Sequence, residues 1–240
     1  MNDHVKELDQ LLEKTGANIP NRDYMSDPDI VWRNGKPNYT LANIQYIKGK
    51  SMKHSNDSLE KVVEDLVKTW EMEITHKTDV QQWETVDLQN FSLSTNGGRV
   101  YKADEVTKLG SYYTLLSHCP KELFDAEKEN FETSHDLFHS TFTQGFAWEV
   151  IRVFSGPPLV TFSWRHWGVF DGKYKERKGD NEIYELYGFC TSRVNEQLKI
   201  QDVNVYFKPE EFLQVLQGDK SRDILRNGFP IVGPGCPIYK

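Results

Sequence analysis

Residues 145–170 read GFAWEVIRVFSGPPLVTFSWRHWGVF, and the reading of this stretch decides the fold. Phe146 to Phe154 and Leu159 to Phe170 are rich in β-branched and aromatic side chains, the composition of strands on a pleated, half-buried surface. Ser155-Gly156-Pro157-Pro158 between them marks a tight connection, so the pair reads as antiparallel neighbours. Two later runs, 182–191 and 200–207, have the same character, joined by polar loops at 171–181 and 194–199. Four consecutive antiparallel strands are therefore predicted.

Upstream the period changes. Ser58 is a plausible cap, and Leu59, Val62, Val63, Leu66, Val67 and Trp70 recur at threes and fours, predicting a helix over 58–76. A short strand is expected within 83–91. Asn96-Gly97-Gly98 supplies residues tolerant of positive φ, a hairpin signal. Further helices are expected over 103–116 and 121–140, and Pro209 at a first turn opens a short one. Val5, Leu8, Leu11 and Leu12 place a small amphipathic helix at 1–15. Residues 16–57 carry six Gly and Pro positions with scattered Trp32, Tyr39 and Tyr46, and read as an extended arm wrapping the domain. The expected class is α+β, with about three helices packed against one strongly curved antiparallel sheet. The expected organisation is an N-terminal helix and arm (1–57), one main domain (58–218) and an irregular tail (219–240).

The chain has 240 residues and a net charge of −7, with 6 Trp, 11 Tyr and 13 Phe concentrated in the strands. No basic stripe is present for phosphate contacts, so nucleic acid is not the expected partner. Cys119, Cys190 and Cys236 are odd in number and far apart, which excludes a disulfide framework or a CxxC zinc site. The N-terminus MNDHVKELDQLLEK lacks the apolar run of a signal peptide, and no window approaches about 18 apolar residues. A cytoplasmic protein without membrane contact is expected.

Several blocks resemble the plant pathogen-related proteins. They are Lys68-Thr69-Trp70-Glu71-Met72-Glu73, Leu109-Gly110-Ser111-Tyr112, Ser134-His135-Asp136, Gly145-Phe146-Ala147-Trp148-Glu149-Val150, Ser155-Gly156-Pro157-Pro158 and Arg165-His166-Trp167-Gly168. The match runs from about Trp32 to Leu216. That family in turn resembles the SnoaL-like branch of the cone-shaped superfamily containing nuclear transport factor and scytalone dehydratase. The resemblance implies helices closing one mouth of a bent sheet, with a pocket between them. It also implies enzymes of the cyclase, dehydratase or isomerase kind, or no catalysis at all. Family members often carry an acid/base Asp on the last strand where this chain has Lys208.

Candidate site residues follow from position and chemistry. His166 shares a strand face with Trp164 and Phe162, while Arg165 shares the other with Ser163 and Trp167. A histidine among aromatics could serve as a general base near neutrality; the structural reading is a core histidine bonded to backbone. Glu149 and Glu185 interrupt apolar strands, where a carboxylate must be paired or exposed. Arg152 and Arg165 are their natural partners in an ion-pair network; the functional alternative makes either carboxylate the base or the group polarising His166. Trp70, Trp148, Trp164, Trp167, Tyr187, Arg165 and His135 are expected to meet a ligand. Glu132, His135 and His139 share a helix face but lack the HExxH pattern, so neither a metal nor an organic cofactor is expected. His76 is expected to cap the carbonyl end of its helix.

Two functions are compatible with these readings. One is a small-molecule-binding protein, and, if catalytic, a cofactor-independent dehydratase, isomerase or cyclase acting on a small apolar or aromatic molecule. The other is a non-catalytic stress or defence scaffold, with a homodimer open to either. A scaffold would fill its interior with Trp and Tyr, whereas an enzyme would keep a cavity.

Overall fold

In the computed structural model, which describes residues 3–226, the chain opens with helix α1 (Asp3–Thr15). The segment expected as an extended arm contains a second helix, α2 (Thr40–Gly49). Buried Ile44, Tyr46 and Ile47 of α2 join Leu8 of α1 in one apolar cluster with Ala147 and Trp167, which pins both helices to the sheet. Helix α3 (Leu59–His76) begins where the Ser58 hydroxyl accepts the Lys61 amide at 3.2 Å. Leu59 and Val62 are exposed rather than core-facing, while Trp70, Met72, Ile74 and the charged Glu64 and Glu73 are buried. The expected strand at 83–91 is instead loop and turn following a 3-10 turn (Val80–Gln82), with Val86 making a single bridge to Ile200.

Strands β1 (Ser92–Thr95) and β2 (Val100–Tyr101) form the hairpin, with Asn96 and Gly97 at positive φ. The expected 103–116 helix is two: α4 (Ala103–Leu109) and α5 (Ser111–Leu116). Gly110 breaks them at φ 88°, where a Cβ would meet the Phe131 ring at 2.8 Å. The expected 121–140 helix shrinks to α6 (Phe131–His139), because the Asn130 side chain caps the Thr133 amide and its own backbone is extended. The strand block follows: β3 (Phe146–Ser155), β4 (Leu159–Val169), the small hairpin β5 (Lys173–Tyr174) and β6 (Arg177–Lys178), β7 (Ile183–Val194) and β8 (Ile200–Phe207). Helices α7 (Pro209–Gln217) and α8 (Asp223–Arg226) complete the described chain; the rest of the expected irregular tail lies outside the described residues.

The main sheet has six strands in the order β2-β1-β8-β7-β4-β3. It is not wholly antiparallel as expected, because β1 runs parallel to β8. The four strands of the 145–207 block are joined by the hairpin that precedes them in the chain, which extends the sheet beyond β8. Register shifts in β3, at Val150/Arg152 and Val153/Ser155, are bulges that bend the strand and curve the sheet. Helix α3 crosses one face over a cluster centred on Phe91, Val106 and Val150, all fully buried. A second cluster under α6 and α7 includes Phe124, Phe138, Phe170 and Tyr184.

Candidate functional site

Alternation along β4 settles which face meets the interior. Phe162, Trp164 and His166 line a cavity of about 280 Å³ between the sheet and helices α2, α3 and α5. That is just under the roughly 300–1,000 Å³ of typical ligand sites. Trp148 on β3 and Leu186 on β7 sit opposite His166 in register and also line it. Trp164 lies across Gly188, where a Cβ would meet the indole at 2.1 Å, so the glycine lets the ring lie flat over β7. The far wall is aliphatic, with Ile200, Val203 and Val205. The mouth is polar: Arg22, Tyr39 and Asn43 from the N-terminal segment face Lys68 and Glu71 of α3.

Glu71 is the carboxylate that the cavity receives. Val67, Glu71 and Ile74 repeat at four and three, so helical geometry carries the acid onto the cavity-lining face of α3. Tyr39 donates to it at 3.4 Å and Thr75 at 3.3 Å. Burial raises its carboxyl above the usual range, with Arg22 opposing the shift. The residue is nevertheless exposed, at the polar mouth of the cavity. The spacing was the available signal in the sequence, which by itself assigned Glu71 no role. Beside it, burial lowers Lys68 to about 8, and its ammonium pairs with Glu64 at 2.9 Å over the Tyr46 ring.

His166 packs against Phe146 at a ring-centroid distance of 3.6 Å, and burial lowers its pKa to about 3. Its Nδ1 is buried and has no hydrogen-bond partner. Neither a carboxylate nor a carbonyl orients that nitrogen, so the triad-like arrangement considered from the sequence is absent. The reading of a core histidine bonded to backbone fails at the same atom.

Glu149 and Glu185 lie on the opposite face of the sheet and cannot polarise His166. Arg165 joins them, with Nη1 3.0 Å from Glu149 and Nε 2.7 Å from Glu185. Glu149 also accepts from the Ser51 amide at 2.9 Å, the Ser51 hydroxyl at 2.8 Å and the Met52 amide at 3.1 Å, tying the segment after α2 to β3. Arg165 stacks 4.3 Å above Trp167 and lies opposite Tyr187 in register. Arg165, Trp167 and Tyr187, expected to meet a ligand, thus serve this second face. Arg152 stays out of the ion pairs and lies over Phe154.

His135 is likewise not a cavity residue. It stacks on Phe131 at 6.0 Å and lies 5.7 Å from His139 and 6.1 Å from His76. Burial, then the neighbouring histidines, lowers His76 to about 4; burial and His139 lower His135 as well. The ligand atoms of Glu132, His135 and His139 do not converge. Among the described residues, convergence within 4.8 Å is found for His118, Cys119 and Glu210.

Among the described residues, no helix is long and apolar enough to cross a membrane. No family model matches the chain. A relative from Hordeum vulgare named pathogen-related protein is 33% identical over 208 residues, covering 84% of this chain and 88% of its own. Among solved structures, a candidate SnoaL-like polyketide cyclase from Jannaschia sp. CCS1 is 11% identical over 69% of this chain and 97% of its own, at a TM-score of 0.38. An NTF2-like protein from Anabaena variabilis is 16% identical over 66% and 96%, at 0.32. Structural likenesses of that size carry no argument about the reaction.

Proposed function

The chain belongs to the pathogen-related protein family, and from the chemistry of its cavity we propose that it binds one small, mostly apolar molecule between β4 and α3. On this reading the curved sheet is a SnoaL-like cone and the N-terminal segment closes its mouth. The observation that carries the proposal is a mismatch in an otherwise aromatic and aliphatic hollow. Arg22 Nε, Trp70 Nε1 and His166 Nδ1 all belong to lining residues, and all are buried without a hydrogen-bond partner. Orphaned polar atoms cost about 1–3 kcal/mol each, and a bound molecule with two or three polar groups would repay that once these side chains turn toward it.

If the protein is catalytic, Glu71 is the group that exchanges a proton. Burial raises its carboxyl above the ordinary carboxylate value, the direction that makes it a better proton acceptor, as in other apolar sites. His166, neutral because of its burial, would act as a hydrogen-bonding partner and not as the base. The class of reaction is dehydration, isomerisation or cyclisation, none of which needs an organic cofactor. A purely structural scaffold is the weaker reading, because its interior would be filled.

Leu186→Trp tests the binding reading by filling the cavity opposite His166. Binding of 1-anilinonaphthalene-8-sulfonate, followed by fluorescence, should weaken at least about tenfold, with the circular dichroism spectrum unchanged. Unchanged dye affinity in a folded variant would place the bound molecule elsewhere.

A further inference from the structure

The cavity does not stop at its polar mouth. Arg22, Tyr39 and Asn43 line it from within, and the same three residues line an open groove of about 710 Å³ on the outer side of the N-terminal segment. Asn21, Lys36, Asn38 and Thr40 stand beside Ile19, Pro20, Met25 and Pro37, so the groove mixes polar and apolar surface where the chamber behind it is mostly apolar. Chamber and groove therefore share one wall, and the charged group in that wall is the Arg22 guanidinium.

Arg22 is poorly satisfied for a residue in that position. Its Nη2 donates to the Lys68 carbonyl at 3.4 Å, its Cζ lies 4.1 Å from the Tyr39 ring centroid, and its Nε is buried without a partner. A guanidinium offers a planar fork that matches a carboxylate through two parallel N–H bonds. One prong of that fork is unspent here.

We propose that chamber and groove together bind an amphiphile with a single carboxylate head, its apolar tail between β4 and α3 and its head on Arg22. The proposal rests on the ligand-binding reading above and adds the class of ligand. Neighbouring charges select the head group. An amine would face Arg22, with Lys68 and Lys36 nearby, and be repelled. A doubly charged phosphate would crowd Glu71, which already pairs electrostatically with Arg22. A single carboxylate adds the least negative charge beside Glu71, whose pKa burial raises and whose oxygens already accept from the Tyr39 and Thr75 hydroxyls.

The test is calorimetric titration of the full chain with octanoate and with 1-octanol, which share a tail and differ in the head. Wild type should prefer octanoate by about tenfold or more, the range of a charge-assisted hydrogen bond. In Arg22→Met the preference for octanoate should shrink until the two affinities fall within about threefold of each other. Arg22→Gln serves the same purpose if the methionine variant does not fold, and thermal melts establish folding for each. Equal affinities in wild type, or a preference that survives loss of Arg22, would overturn the carboxylate assignment and leave the cavity reading standing. Absence of binding by either compound would remove both.

Discussion

Burial drives two of the titratable groups that line the cavity, Glu71 and His166, in opposite directions. The folded pKa of Glu71 is raised, so its contribution to stability is fully present below the unfolded value of about 4.3 and is lost as pH rises through the folded value. Glu71→Gln should therefore gain stability relative to wild type at pH 7 and gain little at pH 4. The folded pKa of His166 is depressed to about 3, so its contribution is present above the unfolded value of about 6.5 and is lost as pH falls toward 3. His166→Asn should cost about 1–2 kcal/mol at pH 7, with the gap narrowing by pH 4.5. His76 and His135 carry shifts of the same direction and stay in the variant, so acid unfolding becomes shallower without vanishing. Urea unfolding at the two pH values reads both effects, and profiles parallel to wild type would contradict them. Period-two alternation made the two faces of β4 legible, placing His166 with Trp164 and Phe162. It could not say which face met the interior, because both carry tryptophan and charge. Glu71 stayed hidden for a related reason: one acid among the five on an amphipathic helix looks solvated until the opposite wall is known.

At the scale of elements, the strands were legible because each is a β-branched and aromatic run closed by turn residues. Helix α3 was legible through its cap and period. Helix α2 was not, since Pro37 and Gly49 bracket a short segment whose helical state depends on Leu8 and Trp167 packing against it. The 103–116 pattern ignored one glycine, and Gly110 proved to be a break because Phe131 occupies the space a side chain would need. The end of α3 also holds a buried charge pair that periodicity could not show. Lys77 Nζ lies 3.0 Å from Glu73 and donates to the Gln82 carbonyl at 2.5 Å. Glu73 also accepts the Glu84 and Thr85 amides at 2.8 and 2.9 Å, fastening the helix to the loop that leads into β1. Lys77→Met should cost about 3–5 kcal/mol, because it leaves Glu73 buried without its cation. Adding Glu73→Gln to that variant should cost less than the two single changes summed. Urea denaturation measures the cycle, and strict additivity would mean that the pair does not act as a unit.

For the whole molecule, the α+β class and the strand order within the 145–207 block could be read from the sequence, whereas the complete sheet could not. β1 and β8 lie more than 100 residues apart and pair in parallel, and no local pattern announces such a partner. The N-terminal segment is similar: its role in walling the cavity through Arg22, Tyr39 and Asn43 emerges only from the folded chain. Sheet, α3 and that segment leave a hollow among aromatic rings, and its use for a small apolar guest is what the functional reading depends on. Crystals pressurised with xenon test this directly, because xenon enters apolar cavities without needing polar partners. Xenon should appear in the space bounded by Phe162, Trp164 and Val203. Its absence there, with xenon binding only at other sites, would contradict the existence of an apolar ligand chamber in this protein.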